Sequence, residues 1–352
     1  MALLLCHGLL SLGCVGSREH GNSNQRAGSA GPLPINRAKD LPAEVRAKIL
    51  ALDPEQVTES QIKELLAQAP APRIIKIHGG PLPIKTRMNS FSRFLIAMGY
   101  PESSLRDPGT GSFTFGYYES SDKISGLIGW HYEREGLRPM IVGHSMGGIQ
   151  AIRVLYKLAG AWTNPIPVWN PLTDRAEGRS EIVDPLTGKT RAVVGLQVCY
   201  ATAVVAGGLG RFPPNEWDMN RRLRLIPDSV EEFTGFQKGF DIFGGDYLGY
   251  GSANDYRATG QAVVRNVRLP GTTTHWGIPD ASGLLKDQQT KEWISDYRPS
   301  HGAVDEADLR RRFGLKSGRV LWAADVWFSI KKHWVLELQR LIRAGASNSH
   351  GN

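Results

Sequence analysis

The segment of the chain whose residue types point most directly to chemistry is Gly143-His144-Ser145-Met146-Gly147-Gly148. It follows a short apolar run at residues 139–142 and precedes a helical pattern at residues 149–158. A serine hydroxyl becomes a nucleophile when a base removes its proton and its oxygen projects freely. Flanking glycines permit a sharp strand-to-helix turn, and the start of the helix directs N–H groups towards a developing oxyanion. The pattern therefore predicts Ser145 as a nucleophile, and an incidental serine in a glycine-rich turn is the alternative.

The elements that must position this serine alternate between short apolar strands and helices. Strands are predicted at residues 73–77, 113–118, 139–142, 193–205, 239–245 and 263–269, and helices at residues 41–68, 89–99, 121–134, 149–158 and 320–342. This alternation is typical of βαβ units. The expected fold class is α/β, with a mostly parallel sheet flanked by helices. A cap or insertion, an irregular loop followed by a hairpin, is expected after the nucleophile helix at residues 161–192, with parts of residues 207–235.

With this order of elements, residues 72–343 resemble the α/β-hydrolase superfamily, and within it the lipases and esterases that carry Gly-His-Ser-Met-Gly-Gly. The resemblance implies a catalytic triad in the chain order serine, acid, histidine. It also implies that the loop Ile77-His78-Gly79-Gly80 supplies half of an oxyanion hole. The N–H of Gly80 would then act together with the N–H of Met146, and His78 would support the loop.

Four histidines follow Ser145 in the chain: His275, His301, His333 and His350. His275 lies in a loop just after the last predicted core strand, where an imidazole can reach a serine at the carboxyl end of the sheet. His333 falls within the long terminal helix and His350 within a polar tail. The sequence therefore favours His275 as the base, and His301, in another loop, is the reserve.

The acid of the triad is sought after the preceding predicted strand, in Gly239-Phe240-Asp241-Ile242-Phe243-Gly244-Gly245-Asp246. A carboxylate there would hold the histidine in the correct tautomer and stabilise its imidazolium form. Asp246 is preferred because it stands just past the predicted strand. Asp241, the alternative, would lie inside that strand, and Asp255 is a third choice. Any of the three can instead be a turn or cap residue.

The composition is that of a soluble globular protein, with 352 residues, 41% apolar and 22% charged. The net charge of +8 comes from charges interspersed along the chain, and the sequence contains no recognisable nucleic-acid-binding motif. No His, Cys and Asp cluster has zinc spacing, and no glycine-rich loop carries the context of a phosphate or dinucleotide site. We therefore expect no cofactor, no metal and no nucleic-acid partner. Residues 41–345 are expected to form one hydrolase domain with a helical extension at residues 41–70.

The first 16 residues are apolar apart from His7 and Ser11 and have the length of a secretory signal core. Residues 17–40 are expected to form a flexible tether. Leu-Ser-Leu-Gly-Cys ending at Cys14 resembles a bacterial lipoprotein signal, although no Lys or Arg precedes the apolar core. The expectation is export to the cell envelope or periplasm, with a lipid anchor on the membrane if Cys14 is acylated. The alternative is that the start of the chain is mis-assigned and that these residues form a disordered cytosolic arm.

Taken together, the sequence predicts a serine hydrolase that cleaves carboxylic esters through an acyl-enzyme. A small-molecule or lipid-like acyl substrate is the hypothesis, motivated by the motif and by aromatic residues in loops: Trp162, Trp169, Trp217, Tyr247 and Tyr250. An amidase, thioesterase or acyltransferase on the same scaffold remains an alternative, because one fold hosts many chemistries. The alternative from another class is a non-catalytic envelope protein that binds a ligand.

Overall fold

A computed structural model of the protein describes residues 41–80, 82–207, 218–246, 249, 254–299 and 304–347. The signal segment, the tether and Cys14 lie outside these residues and stay predictions. Among the residues that are described, no helix combines the length and apolar character needed to cross a membrane.

The described residues form an α/β structure. In chain order the strands are β1 (Ile74–His78), β2 (Phe115–Gly116), β3 (Met140–His144), β4 (Trp169–Asn170), β5 (Arg175–Ala176), β6 (Glu181–Val183), β7 (Thr190–Ala192), β8 (Val198–Val204), β9 (Leu225–Ile226), β10 (Val230–Lys238), β11 (Arg257–Ala258) and β12 (Val263–Leu269). The α-helices are α1 (Ala43–Ala51), α2 (Glu59–Glu64), α3 (Leu82–Ala97), α4 (Ser121–Glu135), α5 (Met146–Leu158), α6 (Gln288–Asp296), α7 (Glu306–Phe313) and α8 (Ser317–Ser347).

The central sheet has six strands in the order β12-β10-β8-β3-β1-β2, and every pairing within it is parallel. The predicted α/β class with a mostly parallel sheet is therefore confirmed. From β1 the chain passes outward to β2, returns to β3 on the other side of β1, and then builds β8, β10 and β12 in the opposite direction. This reversal lies between β1 and β3, and in open α/β sheets ligands bind at the carboxyl ends of the strands beside such a point.

Both faces of the sheet are covered, and alternate side chains along β1 and β3 enter two separate apolar clusters. Ile75 and Ile141 pack with residues of α4 and α5 on one face. Ile74 and Met140 pack with residues of α3 and α8 on the other. Strands that are buried on both faces have nearly continuous apolar sequences. This explains why short apolar runs in the sequence predict these strands.

The N-terminal helical pattern at residues 41–68 forms the two helices α1 and α2. Ile49 and Ile62 are fully buried in the apolar cluster that contains α8. The side-chain amide of Gln339 in α8 donates to the carbonyl oxygens of Ile49 at 3.1 Å and Leu52 at 2.9 Å. Because a helix end leaves carbonyl groups without an intrahelical partner, Gln339 satisfies the end of α1.

The insertion at residues 161–192 contains two antiparallel hairpins, β4 with β5 and β6 with β7. The sequence predicted an irregular loop followed by one hairpin. In the structure the segment predicted as a loop also forms a short hairpin, β4 with β5. Both hairpins contact α4, since a Cβ atom on Gly126 of α4 would lie 3.0 Å from the nitrogen of Trp169 in β4, and the hydroxyl of Tyr132 donates to Asp184, just after β6, at 3.2 Å. That this insertion caps the site remains a prediction, and residues 208–217 of the second cap segment lie outside the described residues.

The predicted strand at residues 239–245 is wrong, because the strand lies earlier in the chain, at Val230–Lys238. The two adjacent glutamates at its start masked its strand character in the sequence. Residues 239–246 form a turn instead, in which Phe240 has a φ of 53° and Gly245 a φ of 85°. Positive φ values end a strand, and this shift moves the candidate acids relative to the sheet.

Candidate active site

Ser145 occupies the connection between β3 and α5, with φ of 55° and ψ of −124°. A residue with a side chain in such a conformation costs about 1–3 kcal/mol and persists only where its surroundings enforce it. Here the N–H of Ser145 donates to the carbonyl oxygen of Val204 at 2.8 Å, which ties the turn to the carboxyl end of β8. The strained serine therefore lies at the carboxyl edge of the sheet, beside the point where the strand order reverses.

The glycines around Ser145 permit a close approach between two backbone segments. A Cβ atom on Gly147 would lie 2.2 Å from the carbonyl oxygen of Ile77, and one on Gly79 would lie 2.6 Å from the nitrogen of Met146. Real Cβ atoms are not found at such distances from backbone atoms. The loop after β1 and the turn after β3 are consequently in direct backbone contact.

The two predicted oxyanion donors lie on these contacting segments. Gly80 follows Gly79 with a φ of 92°, which favours glycine. Met146 is the first residue of α5, so its N–H has no acceptor within the helix. His78, the predicted support of the loop, is buried, and burial together with the charge of Lys85 lowers its pKa.

His275 reaches the serine from the segment that follows β12. It begins a short 3-10 turn at residues 275–277, and its side chain is buried. Its Nε2 accepts a hydrogen bond from the Oγ of Ser145 at 2.9 Å. The structure thus brings together the serine and the histidine that the sequence favoured.

The carboxylate that orients His275 is Asp241, whereas the sequence preferred Asp246. The Nδ1–H of His275 donates to the Oδ2 of Asp241 at 2.7 Å, and both side chains are almost completely buried. The Oδ1 of Asp241 accepts the N–H of Gly244 at 3.1 Å. Because β10 ends at Lys238, Asp241 lies past the strand in the loop position that was assigned to Asp246.

Asp246 lies at the end of the same turn and makes no hydrogen bond to the imidazole of His275 among the described residues. Its N–H donates to the carbonyl oxygen of Asp241 at 2.9 Å. Its Oδ2 is buried and has no hydrogen-bond partner among the described residues. A cavity of about 10 Å³ borders both Asp241 and Asp246, which is about the space that one water molecule needs and is too small to be a substrate pocket.

His144 is a contributor to the site that the sequence analysis did not identify. Its Nε2 donates to the carbonyl oxygen of His275 at 3.0 Å, and the two rings lie 5.2 Å apart. Burial, with a smaller electrostatic effect from the neighbouring His275, lowers the pKa of His144 to about 3. His144 is therefore neutral at physiological pH and fixes the backbone of His275. Only its position before Ser145 could have suggested this role, since the partner is 131 residues away.

Two aromatic side chains enclose the imidazole of His275. Its ring centroid lies 4.7 Å from that of Trp276 and 5.7 Å from that of Phe243. The carbonyl oxygen of Trp276 accepts a hydrogen bond from Arg87 of α3 at 2.7 Å. These contacts hold the histidine segment against α3 and limit the access of water to the imidazole.

The other candidates from the sequence are placed elsewhere or lie outside the described residues. Asp255 accepts a hydrogen bond from Gln237 at 3.0 Å, and His333 contacts Glu232 at 3.3 Å. Of the loop aromatics, Trp162 lies beside the cationic side chains of α5, and Trp169 donates to Asp174. The positions that the structure does not describe are His301, His350, Trp217, Tyr247 and Tyr250.

The three side chains form a continuous chain of hydrogen bonds. Because an ionised carboxylate only accepts hydrogen bonds, Asp241 keeps the imidazole proton on Nδ1 and leaves Nε2 free to accept the proton of Ser145. Within the described residues no group of three or more His, Cys, Asp or Glu side chains could hold a metal ion. The hydrogen bonds from Ser145 to His275 and from His275 to Asp241 can activate a hydroxyl nucleophile.

Comparisons of the chain with protein-family models, with curated proteins and with solved structures gave no match.

Proposed function

We propose that this protein is a serine hydrolase of the α/β-hydrolase superfamily that cleaves carboxylic esters. The observation that carries the proposal is the pair of hydrogen bonds from Ser145 Oγ to His275 Nε2 at 2.9 Å and from His275 Nδ1 to Asp241 Oδ2 at 2.7 Å. The strained φ of Ser145 adds support, because backbone strain in a non-glycine residue concentrates at functional sites. A purely structural serine would not need this conformation.

In the proposed reaction, Ser145 Oγ attacks the ester carbonyl carbon while its proton passes to His275 Nε2. The N–H groups of Gly80 and Met146 stabilise the negative oxygen of the tetrahedral intermediate. The bond to the alcohol oxygen then breaks, and the imidazolium returns the proton to that oxygen. Water repeats the attack on the acyl-enzyme, giving up a proton to Nε2, and the acid leaves as Ser145 regains its proton.

An apolar acyl group is the substrate class that the surroundings of the site favour. Large apolar side chains are exposed in the segments that follow the carboxyl ends of β1, β2 and β10, namely Leu82, Tyr118, Phe240, Ile242 and Phe243. Phe240 is 76% exposed and its neighbour Ile242 is 56% exposed, on either side of Asp241. Exposed apolar side chains grouped around a site are typical of surfaces that meet apolar ligands.

The test of the reaction class is covalent labelling by a fluorophosphonate, which reacts with activated serines. We expect the purified protein to be labelled at Ser145, as read by mass spectrometry of the modified peptide, because His275 can remove the proton of its hydroxyl. Ser125→Ala is a matched control, since Ser125 is a buried serine on α4 outside the site; it should label like the natural chain, and Ser145→Ala should not. Absence of labelling in folded protein would favour the non-catalytic binding role.

The acyl specificity is tested with a series of esters of one alcohol whose acyl chains range from short to long. We expect kcat/KM to rise with chain length, because each buried methylene contributes about 0.8 kcal/mol if it leaves water. Thioesters and amides of the preferred acyl group distinguish the ester hydrolase from the other activities on this scaffold. Turnover confined to two-carbon acyl groups would reject the lipase-like substrate.

A further inference from the structure

A groove with an apolar floor and a basic rim lies between α3 and residues 281–286, at a distance from Ser145. It encloses about 330 Å³, which is within the range of roughly 300–1,000 Å³ that small-molecule pockets occupy. On α3 it is lined by residues spaced three and four positions apart, Ser90, Arg93, Phe94 and Ala97, which lie on one face of a helix. We refer to this feature as the basic groove.

The floor of the basic groove is apolar. Phe94 and Ala97 line it from α3, and Leu285 lines it from the opposite side. Phe94 is almost completely buried, whereas Ala97 is exposed, so the groove leads from solvent onto the apolar core. A ligand with an alkyl chain would remove this apolar surface from water, which favours binding.

The rim carries two positive charges that lack a carboxylate partner in the part of the chain that the structure describes. Arg93 and Lys286 both line the groove and are exposed, and neither forms an ion pair with any described residue. Two carboxylates close to Lys286 in the sequence have other partners: Asp280 pairs with Arg319 at 3.1 Å, and Asp287 accepts the N–H of Thr290 at 3.0 Å. Exposed cations are common on proteins, but two uncompensated cations beside one apolar groove match a ligand with an anionic head and an apolar tail.

We propose that the basic groove binds a fatty-acid carboxylate, with the head group at Arg93 and Lys286 and the alkyl chain along Phe94, Ala97 and Leu285. Identifying this ligand as the acid product of the enzyme rests on the proposed function. The groove is distinct from the site at Ser145. The end of α3 nearest the active site is Leu82, and Arg93 lies three turns further along the helix. At a helical rise of about 1.5 Å per residue, this separation is about 16 Å.

The groove is also connected to the histidine segment of the candidate site. The backbone N–H of Ala281, in the groove wall, donates to the hydroxyl of Ser90 at 2.9 Å. One turn earlier on α3, Arg87 donates to the carbonyl oxygen of Trp276, the residue after His275. The wall of the groove is therefore linked to the histidine segment through α3, although neither Ser145 nor His275 lines the groove.

The test is isothermal titration calorimetry of the full chain with sodium decanoate below its micelle concentration. We expect saturable binding that Arg93→Gln/Lys286→Gln weakens by about tenfold or more, because charge-assisted hydrogen bonds to the carboxylate are lost. The matched control is Arg175→Gln/Lys189→Gln, which removes the same two charges from exposed positions in the hairpins and should leave the affinity unchanged. Ala97→Trp should abolish binding by filling the groove while both cations remain.

The chemistry of the ligand is checked with decyltrimethylammonium, which has the same alkyl chain and the opposite charge. Equal binding of the two amphiphiles, or equal losses in the two double variants, would overturn the proposal. Binding of decanoate should persist in Ser145→Ala, because the groove is not the serine site. If labelling at Ser145 fails and decanoate still binds through Arg93 and Lys286, the proposed function fails while the groove assignment stands. Tighter binding to anionic phospholipid vesicles than to decanoate would assign the groove to a membrane surface and reject the fatty acid.

Discussion

Replacing Ser145 with alanine is expected to lower kcat for the best ester by on the order of 10⁵- to 10⁶-fold, the loss seen when the nucleophile of a serine–histidine pair is removed. Without Oγ no acyl-enzyme can form, and the remaining hydrogen-bond donors can only stabilise a direct attack by water. The measurement is single-turnover and steady-state hydrolysis of the ester identified in the chain-length series. A variant that keeps a tenth of the activity would show that Ser145 is not the nucleophile.

The alanine variant is suitable because its backbone requirements match those of serine. The N–H that bonds to Val204 belongs to the backbone, and alanine at φ of 55° carries the same strain as serine does. We therefore expect little change in the melting temperature. Ser145→Gly is the complementary control, since glycine adopts positive φ without strain, and it should be equally inactive but more stable.

A second control uses the non-additivity of residues that act as one unit. His275→Ala should lower kcat about as much as Ser145→Ala, and the double variant should be no worse than either single variant. The physical reason is that the imidazole acts only through the proton of Ser145, to which it is bonded at 2.9 Å. Independent, multiplying losses from the two substitutions would contradict this coupling.

The fold and the approximate position of the site follow from short-range patterns in the sequence. Strands such as β12 and helices such as α4 were predicted to within a residue or two, because apolar periodicity is local and both elements are bounded by turn residues. Ser145 and His275 were expected at one edge because the carboxyl ends of parallel strands meet there. The serine lies directly after β3 and the histidine shortly after β12.

What the sequence could not resolve depended on exact element boundaries and on contacts between distant residues. The choice between Asp241 and Asp246 turned on where one strand ends, and β10 begins with buried or half-buried polar residues that look unlike a core strand. Glu232 of β10 is tolerated there because His333, Lys332 and Arg265 surround its carboxylate. The hydrogen bond to His333, with the charges of Lys332 and Arg265, holds the pKa of Glu232 well below the usual range despite its burial. Such compensation comes from distant elements and has no local signature.

The same shift of the strand leads to a sharp prediction for the two aspartates. Asp241→Asn is expected to lower kcat by about 10⁴-fold, as when the triad acid is replaced by its amide. Asp246→Asn should lower kcat by less than about tenfold, since a side chain with no contact to the imidazole takes no part in the proton transfer. The reason lies in the fixed orientation of the new amide. In the natural chain the N–H of Gly244 donates to Oδ1 of Asp241. In the variant the same N–H holds the amide oxygen of the asparagine, so the NH₂ group of the asparagine must face Nδ1 of His275. An NH₂ group donates, and Nδ1 must then give up its proton and accept.

The imidazole of Asp241→Asn would therefore carry its proton on Nε2, where it cannot accept the proton of Ser145. This predicts loss of kcat with little change in KM or in the melting temperature, because the hydrogen-bonded geometry is preserved and only the tautomer is wrong. NMR of the ¹⁵N-labelled imidazole of His275 would report the proton on Nδ1 in the natural chain and on Nε2 in the variant. If Asp246→Asn caused the larger loss of kcat, the buried carboxylate of Asp246 would have to move to His275 during turnover. The assignment to Asp241 would then fail, although Ser145 and His275 would keep their roles.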